Sequence, residues 1–94
     1  MKPSRTLSQE IERGSRAKAI IEDELWVEAW EVMDSELMRV WESSQAHESV
    51  EREKIWMLVK QTKRLRSYFE NVIETGKLAL IEAGLNREQK EQSE

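Results

Sequence analysis

The sequence predicts an all-α protein: a long antiparallel helical hairpin with a short N-terminal arm and a polar C-terminal tail, assembling into an oligomeric helical bundle. Three observations lead there. Glycine occurs three times and proline once in 94 residues, too few turn-formers for a β-rich fold of this length. Charged residues reach 36%, above the quarter usual in globular domains, which suits exposed helices. Two stretches of about 25 residues carry apolar side chains at helical spacing.

Residues 1–15 are read as the arm. Thr6-Leu7-Ser8-Gln9 fits a capping box, so a short helix is expected to begin near Leu7. Gly14-Ser15 then interrupts it, with Ser15 as the N-cap of the next helix.

The hairpin domain spans 16–84. Its first helix covers 16–43, with no glycine or proline inside. At 100° per residue, Ala19, Ala29, Trp30, Met33, Leu37, Val40 and Trp41 fall within about 60° of Trp26. A second apolar stripe, Ile21, Leu25 and Val32, lies beside the first. A third, Ile20, Val27 and Met38, lies on the other flank. Glu24, Glu28 and Glu31 make an acidic face. Residues 43–49 form the turn, where Ser and His side chains compete with helical backbone bonding. Ser49 is the candidate N-cap of the second helix.

That helix covers 50–75, with Ile55, Leu58, Thr62, Leu65, Phe69, Val72 and Ile73 on one face. Thr75-Gly76 is expected to end it. Lys77–Ala83 adds one more helical piece, closed by Gly84, and residues 85–94 lack a core pattern and are expected to fray. A short turn makes the two long helices antiparallel neighbours, each roughly 40 Å long. Folding about residue 46 sets Leu37 near Ile55, Met33 near Leu58, Trp30 near Thr62, and Trp26 near Leu65 and Phe69.

One hairpin buries one stripe per helix. The two flank stripes and Trp56, about 160° from Leu58 on its helix, are left over. Exposed aliphatics beside an exposed Trp favour a contact surface, so Ile20, Ile21, Leu25, Val27, Val32, Met38 and Trp56 are expected at subunit interfaces. The alternative is that the arm and the C-terminal piece fold back over them.

Charge points the same way. Net charge is −4. Residues 1–18 hold five basic and two acidic groups, 19–51 one and ten, 52–66 six and one, 67–94 three and six. Alternating blocks favour side-by-side association and give no continuous basic surface, which does not favour a dedicated nucleic-acid binder. The sharpest basic run is Lys60, Lys63, Arg64 and Arg66. It could contact phosphates or the Glu24-Glu28-Glu31 face of a neighbouring chain, since Lys60 and Lys63 point away from the expected seam.

No catalytic, cofactor or metal site is expected. Cysteine is absent, which excludes thiolate sites and disulfides. His47 is the only histidine. It could pair with Glu51, but two ligands make no metal site and no serine completes a triad. No glycine-rich phosphate loop is present. No apolar run approaches a membrane span of roughly 18–20 residues, so no membrane partner is expected.

Four segments resemble small tailed-bacteriophage and prophage proteins: Arg16-Ala17-Lys18-Ala19-Ile20-Ile21-Glu22, Glu36-Leu37-Met38 with Trp41, Glu51-Arg52-Glu53-Lys54-Ile55-Trp56, and Glu74-Thr75-Gly76-Lys77-Leu78-Ala79. The resemblance covers about residues 16–79. It implies a non-enzymatic role in virion assembly or DNA packaging, in the manner of a small terminase subunit. The partners would be other copies and other phage or host proteins, in the host cytoplasm or the virion. The alternative is a phage-encoded inhibitor of a host defence or replication protein, acting through the acidic face.

Overall fold

A computed structural model describes residues 4–92. Among the described residues the structure is helical with no strand. It holds α1 (Leu7–Glu22), α2 (Glu24–Ser43) and α3 (Ser49–Gln92). Two compact units divide it: Met1–Ile20 with Tyr68–Glu94, and Ile21–Ser67.

The α1 start follows the sequence expectation. The Thr6 backbone N–H donates to Gln9 Oε1 at 2.9 Å, and the Gln9 N–H donates to Thr6 Oγ1 at 3.1 Å. This reciprocal pair satisfies two of the donors that a helix start leaves open.

Three expected boundaries are corrected. Gly14-Ser15 does not interrupt a helix: α1 runs through it and ends at Glu22. The expected single helix 16–43 is instead broken at Asp23, which has extended φ/ψ and whose carboxylate accepts the Leu25 N–H at 2.9 Å, an N-cap for α2. Neither Gly76 nor Gly84 ends a helix, because α3 runs unbroken from Ser49 to Gln92. The polar tail therefore begins as helix. Residues 93 and 94 of that tail, and residues 1–3 of the arm, lie outside the described residues.

In the first unit, α1 packs on the C-terminal part of α3 through small residues. Gly14, Ala17, Gly76 and Ala79 are its buried positions. A Cβ on Gly14 would stand 3.0 Å from Gly76 Cα. One on Gly76 would stand 2.9 Å from Gly14 Cα and 3.0 Å from the Glu10 carbonyl oxygen. The backbones themselves are in contact, so a side chain at Gly76 forces a shift and one at Gly14 is tightly crowded. The intrinsic helix cost of roughly 1 kcal/mol per glycine is offset by this close approach. Gly84 has no such neighbour within 4 Å.

In the second unit, α2 and the N-terminal part of α3 form the antiparallel hairpin that the sequence predicts. Its turn is stitched locally. The Ser44 N–H and hydroxyl both donate to the Trp41 carbonyl, at 3.2 and 2.6 Å. The Gln45 N–H donates to Glu48 Oε1 at 2.9 Å, and the Arg52 N–H opens α3 by donating to the Glu48 carbonyl at 3.0 Å. Ser49 is therefore the first residue of α3 rather than the residue before it.

Candidate functional site

The seam between α2 and α3 differs from a hydrocarbon core. Along the part of α3 that lies in this unit, the residues that lose surface are Arg52, Ile55, Val59, Thr62 and Arg66. Their spacing alternates between three and four, the period of helices that pack along a shared stripe. Two of these positions are arginine, and each finds an aromatic lid on α2. The Arg52 guanidinium lies 4.2 Å from the Trp41 ring centroid, and that of Arg66 lies 4.2 Å from Trp30. Planar guanidinium on indole buries apolar faces and leaves its edge nitrogens to polar partners, although Arg66 Nε is buried with no hydrogen bond. Arg52 Nε donates to Ser44 Oγ at 2.9 Å. Arg66 Nη2 donates to both Asp34 oxygens at 2.6 and 2.7 Å. Trp26 meets Trp30 edge-on, with ring centroids 5.6 Å apart.

This seam corrects part of the expected pairing. Leu37, Ile55 and Thr62 do share it. Met33 and Leu58 do not form a buried pair, since both are exposed, as is Leu65. The true stripe is rotated toward Val59 and the two arginines.

Beside the seam lies an open groove of about 490 Å³, floored by Leu37, Ile55 and Val59, flanked by Met38, Trp41 and Trp56, and rimmed by Lys63. Trp56 is 55% exposed. Lys60, one turn further along α3, holds its ammonium 4.9 Å from the Trp56 ring centroid. On the outer side of α2, Leu25, Ala29, Val32 and Met33 form a shallow apolar patch between Glu28 and Glu36. Leu25 is 74% exposed and Val32 52%.

The structure scatters the basic run. Arg66 is committed to Asp34 and Trp30, and Lys60 lies over Trp56. Lys63 rims the groove rather than pointing away from the hairpin, a correction to its expected orientation. Arg64 is exposed. The flank-stripe residues Ile20, Leu25, Val27, Val32 and Met38 are all exposed, and Ile21 is half-buried. Glu24, Glu28 and Glu31 are exposed too. His47 is exposed in the turn, and Glu51 pairs with Lys54 at 3.5 Å. Among the described residues no three His, Asp or Glu side chains converge as metal ligands, and no helix is long and apolar enough to cross a membrane.

The sequence reading missed Arg52 and Arg66 as seam residues. The signal was the three–four spacing of Arg52, Ile55, Val59, Thr62 and Arg66, with tryptophans on the facing helix to cover the cations. It also missed the paired spacings Gly14-x-x-Ala17 and Gly76-x-x-Ala79.

No family model, curated protein or solved structure matches this chain.

Proposed function

We propose that this chain is a non-enzymatic, self-associating helical protein that supports virion assembly or DNA packaging of a bacteriophage, in the manner of a small terminase subunit. One observation carries the self-association. Ala17, Ile55 and Ala79 are the only buried hydrophobic residues among those described, while Leu25, Val32, Met38, Trp56, Met57 and Leu58 stand more than half exposed. The bacteriophage setting rests on the four sequence segments quoted above.

Packaging requires contact with DNA. With Arg66 tied to Asp34, Lys60 over Trp56 and Lys63 at the groove, the run keeps the exposed Arg64 for phosphates. One phosphate contact gives a salt slope of about −0.9 per engaged chain, so useful affinity requires several chains. The test is molar mass by light scattering on a size-exclusion column, with duplex-DNA binding measured from low to physiological salt. A defined oligomer that binds DNA with a multiple of that slope supports the proposal. A monomer refutes the self-association, and an oligomer indifferent to DNA refutes the packaging role.

A second reading is an inhibitor that presents Glu24, Glu28 and Glu31 to a basic groove. It is favoured by their exposure and by their lack of any ion-pair partner among the described residues. Co-purification with one host protein, without DNA binding, distinguishes it.

A further inference from the structure

The hairpin unit carries two apolar surfaces that complement each other in charge. The groove is rimmed by Lys63, which has no ion-pair partner among the described residues, and Lys60 lies one turn away on α3. Its one acid, Asp34, is neutralised by Arg66. The outer α2 patch of Leu25, Ala29, Val32 and Met33 is flanked by Glu28 and Glu36, both without an ion-pair partner among the described residues. One surface is apolar with surplus positive charge, the other apolar with surplus negative charge.

We infer that the outer α2 face of one copy seats in the Trp41–Trp56 groove of the next, Glu28 and Glu36 meeting Lys60 and Lys63. At 100° per residue the patch and the groove-lining residues of α2 are centred about 160° apart around the helix. Groove and patch are different surfaces, so the contact is head-to-tail. Repeated, it closes as a ring if the rotation per copy permits, or extends as a filament. The four flanking charges fix the register and reject like-charged alignments. Trp56 and Trp41, at the mouth of the groove, are the anchoring aromatics, the residue type that dominates interface energetics. This inference rests on the self-association proposed above and assigns it a specific pair of surfaces.

Three variants test it by sedimentation velocity over a dilution series: Glu28→Lys with Glu36→Lys, Lys60→Glu with Lys63→Glu, and all four together. All four side chains are exposed, and circular dichroism checks that helicity is kept. Each pair alone is expected to weaken association at least tenfold. The first pair moves the net charge from −4 to zero, so reduced global repulsion alone would strengthen association; only a specific contact predicts weakening. The quadruple variant restores the original net charge with signs exchanged, and is expected to associate within about threefold of wild type. An oligomeric wild type whose pair variants associate unchanged overturns these surfaces while leaving self-association standing. A wild type monomeric at every concentration overturns both.

Discussion

Replacing Gly76 by alanine sets two opposing effects against each other. Alanine is the better helix former, by roughly 1 kcal/mol. Against that, its Cβ would lie 2.9 Å from Gly14 Cα and 3.0 Å from the Glu10 carbonyl oxygen. Both are backbone atoms of α1, so no side chain can swing aside and the helices must part. Overpacking of this kind costs about 1–3 kcal/mol, and backbone contacts put it in the upper half of that range. Packing wins, and Gly76→Ala is expected to destabilise by about 1–2 kcal/mol. For a domain of this size that lowers the thermal midpoint by roughly 5–15 °C. Gly84 is the internal control. It sits in the same helix with nothing within 4 Å of an added Cβ, so Gly84→Ala keeps the propensity gain and raises the midpoint by roughly 4–8 °C. Thermal unfolding followed by circular dichroism, at matched protein concentration, reads both. A Gly76→Ala variant as stabilised as Gly84→Ala would refute the close crossing of α1 and α3. The double variant Gly14→Ala with Gly76→Ala is expected to lose less than the sum of the single losses, because helices already parted accept the second methyl more cheaply.

Other perturbations probe the caps and the seam. Thr6→Ala breaks the reciprocal pair with Gln9 and Asp23→Ala removes the α2 cap; each is expected to cost about 1 kcal/mol in denaturant unfolding. Arg66→Lys loses the two-oxygen contact to Asp34 and the flat stack on Trp30. Since Arg66 and Asp34 are both partly exposed, the loss is expected to be on the order of 1 kcal/mol, and a double-mutant cycle with Asp34→Asn isolates the pair. Arg52→Met keeps the length of the seam side chain but leaves Ser44 Oγ without its donor, and is expected to change stability by less than about 1.5 kcal/mol.

Much of this fold was legible because it rests on local signals. The Thr6–Gln9 capping box, the turn after Ser43 and the Trp26–Trp30–Leu37 stripe of α2 each follow from residues a few positions apart, and each stands where the periodicity puts it. The errors have one cause: a residue whose role is set by a distant partner looks like something else locally. Gly14 and Gly76 look like helix breaks until α1 lies against α3, 62 positions away in the chain, where absence of a side chain is the requirement. Arg66 looks like part of a basic surface run until Trp30 and Asp34 arrive from α2. Asp23 was hidden because, between Glu22 and Glu24, an acidic residue also fits the solvent-facing side of an uninterrupted helix. The candidate site was readable in part. The exposed flank stripes and Trp56 stood out as residues one hairpin could not bury, whereas the groove depends on the rotation of α3, which the two arginines set.

If the exposed apolar stripes of this chain are covered between copies, as proposed, its folding is coupled to association, and the thermal midpoint depends on protein concentration. Folding coupled to association makes the midpoint rise with concentration, so a steady increase across three decades is expected. A sharp, cooperative transition whose midpoint stays fixed over that range would contradict it, and would mean that α1, α2 and α3 are stable as a single copy with their flanks in water.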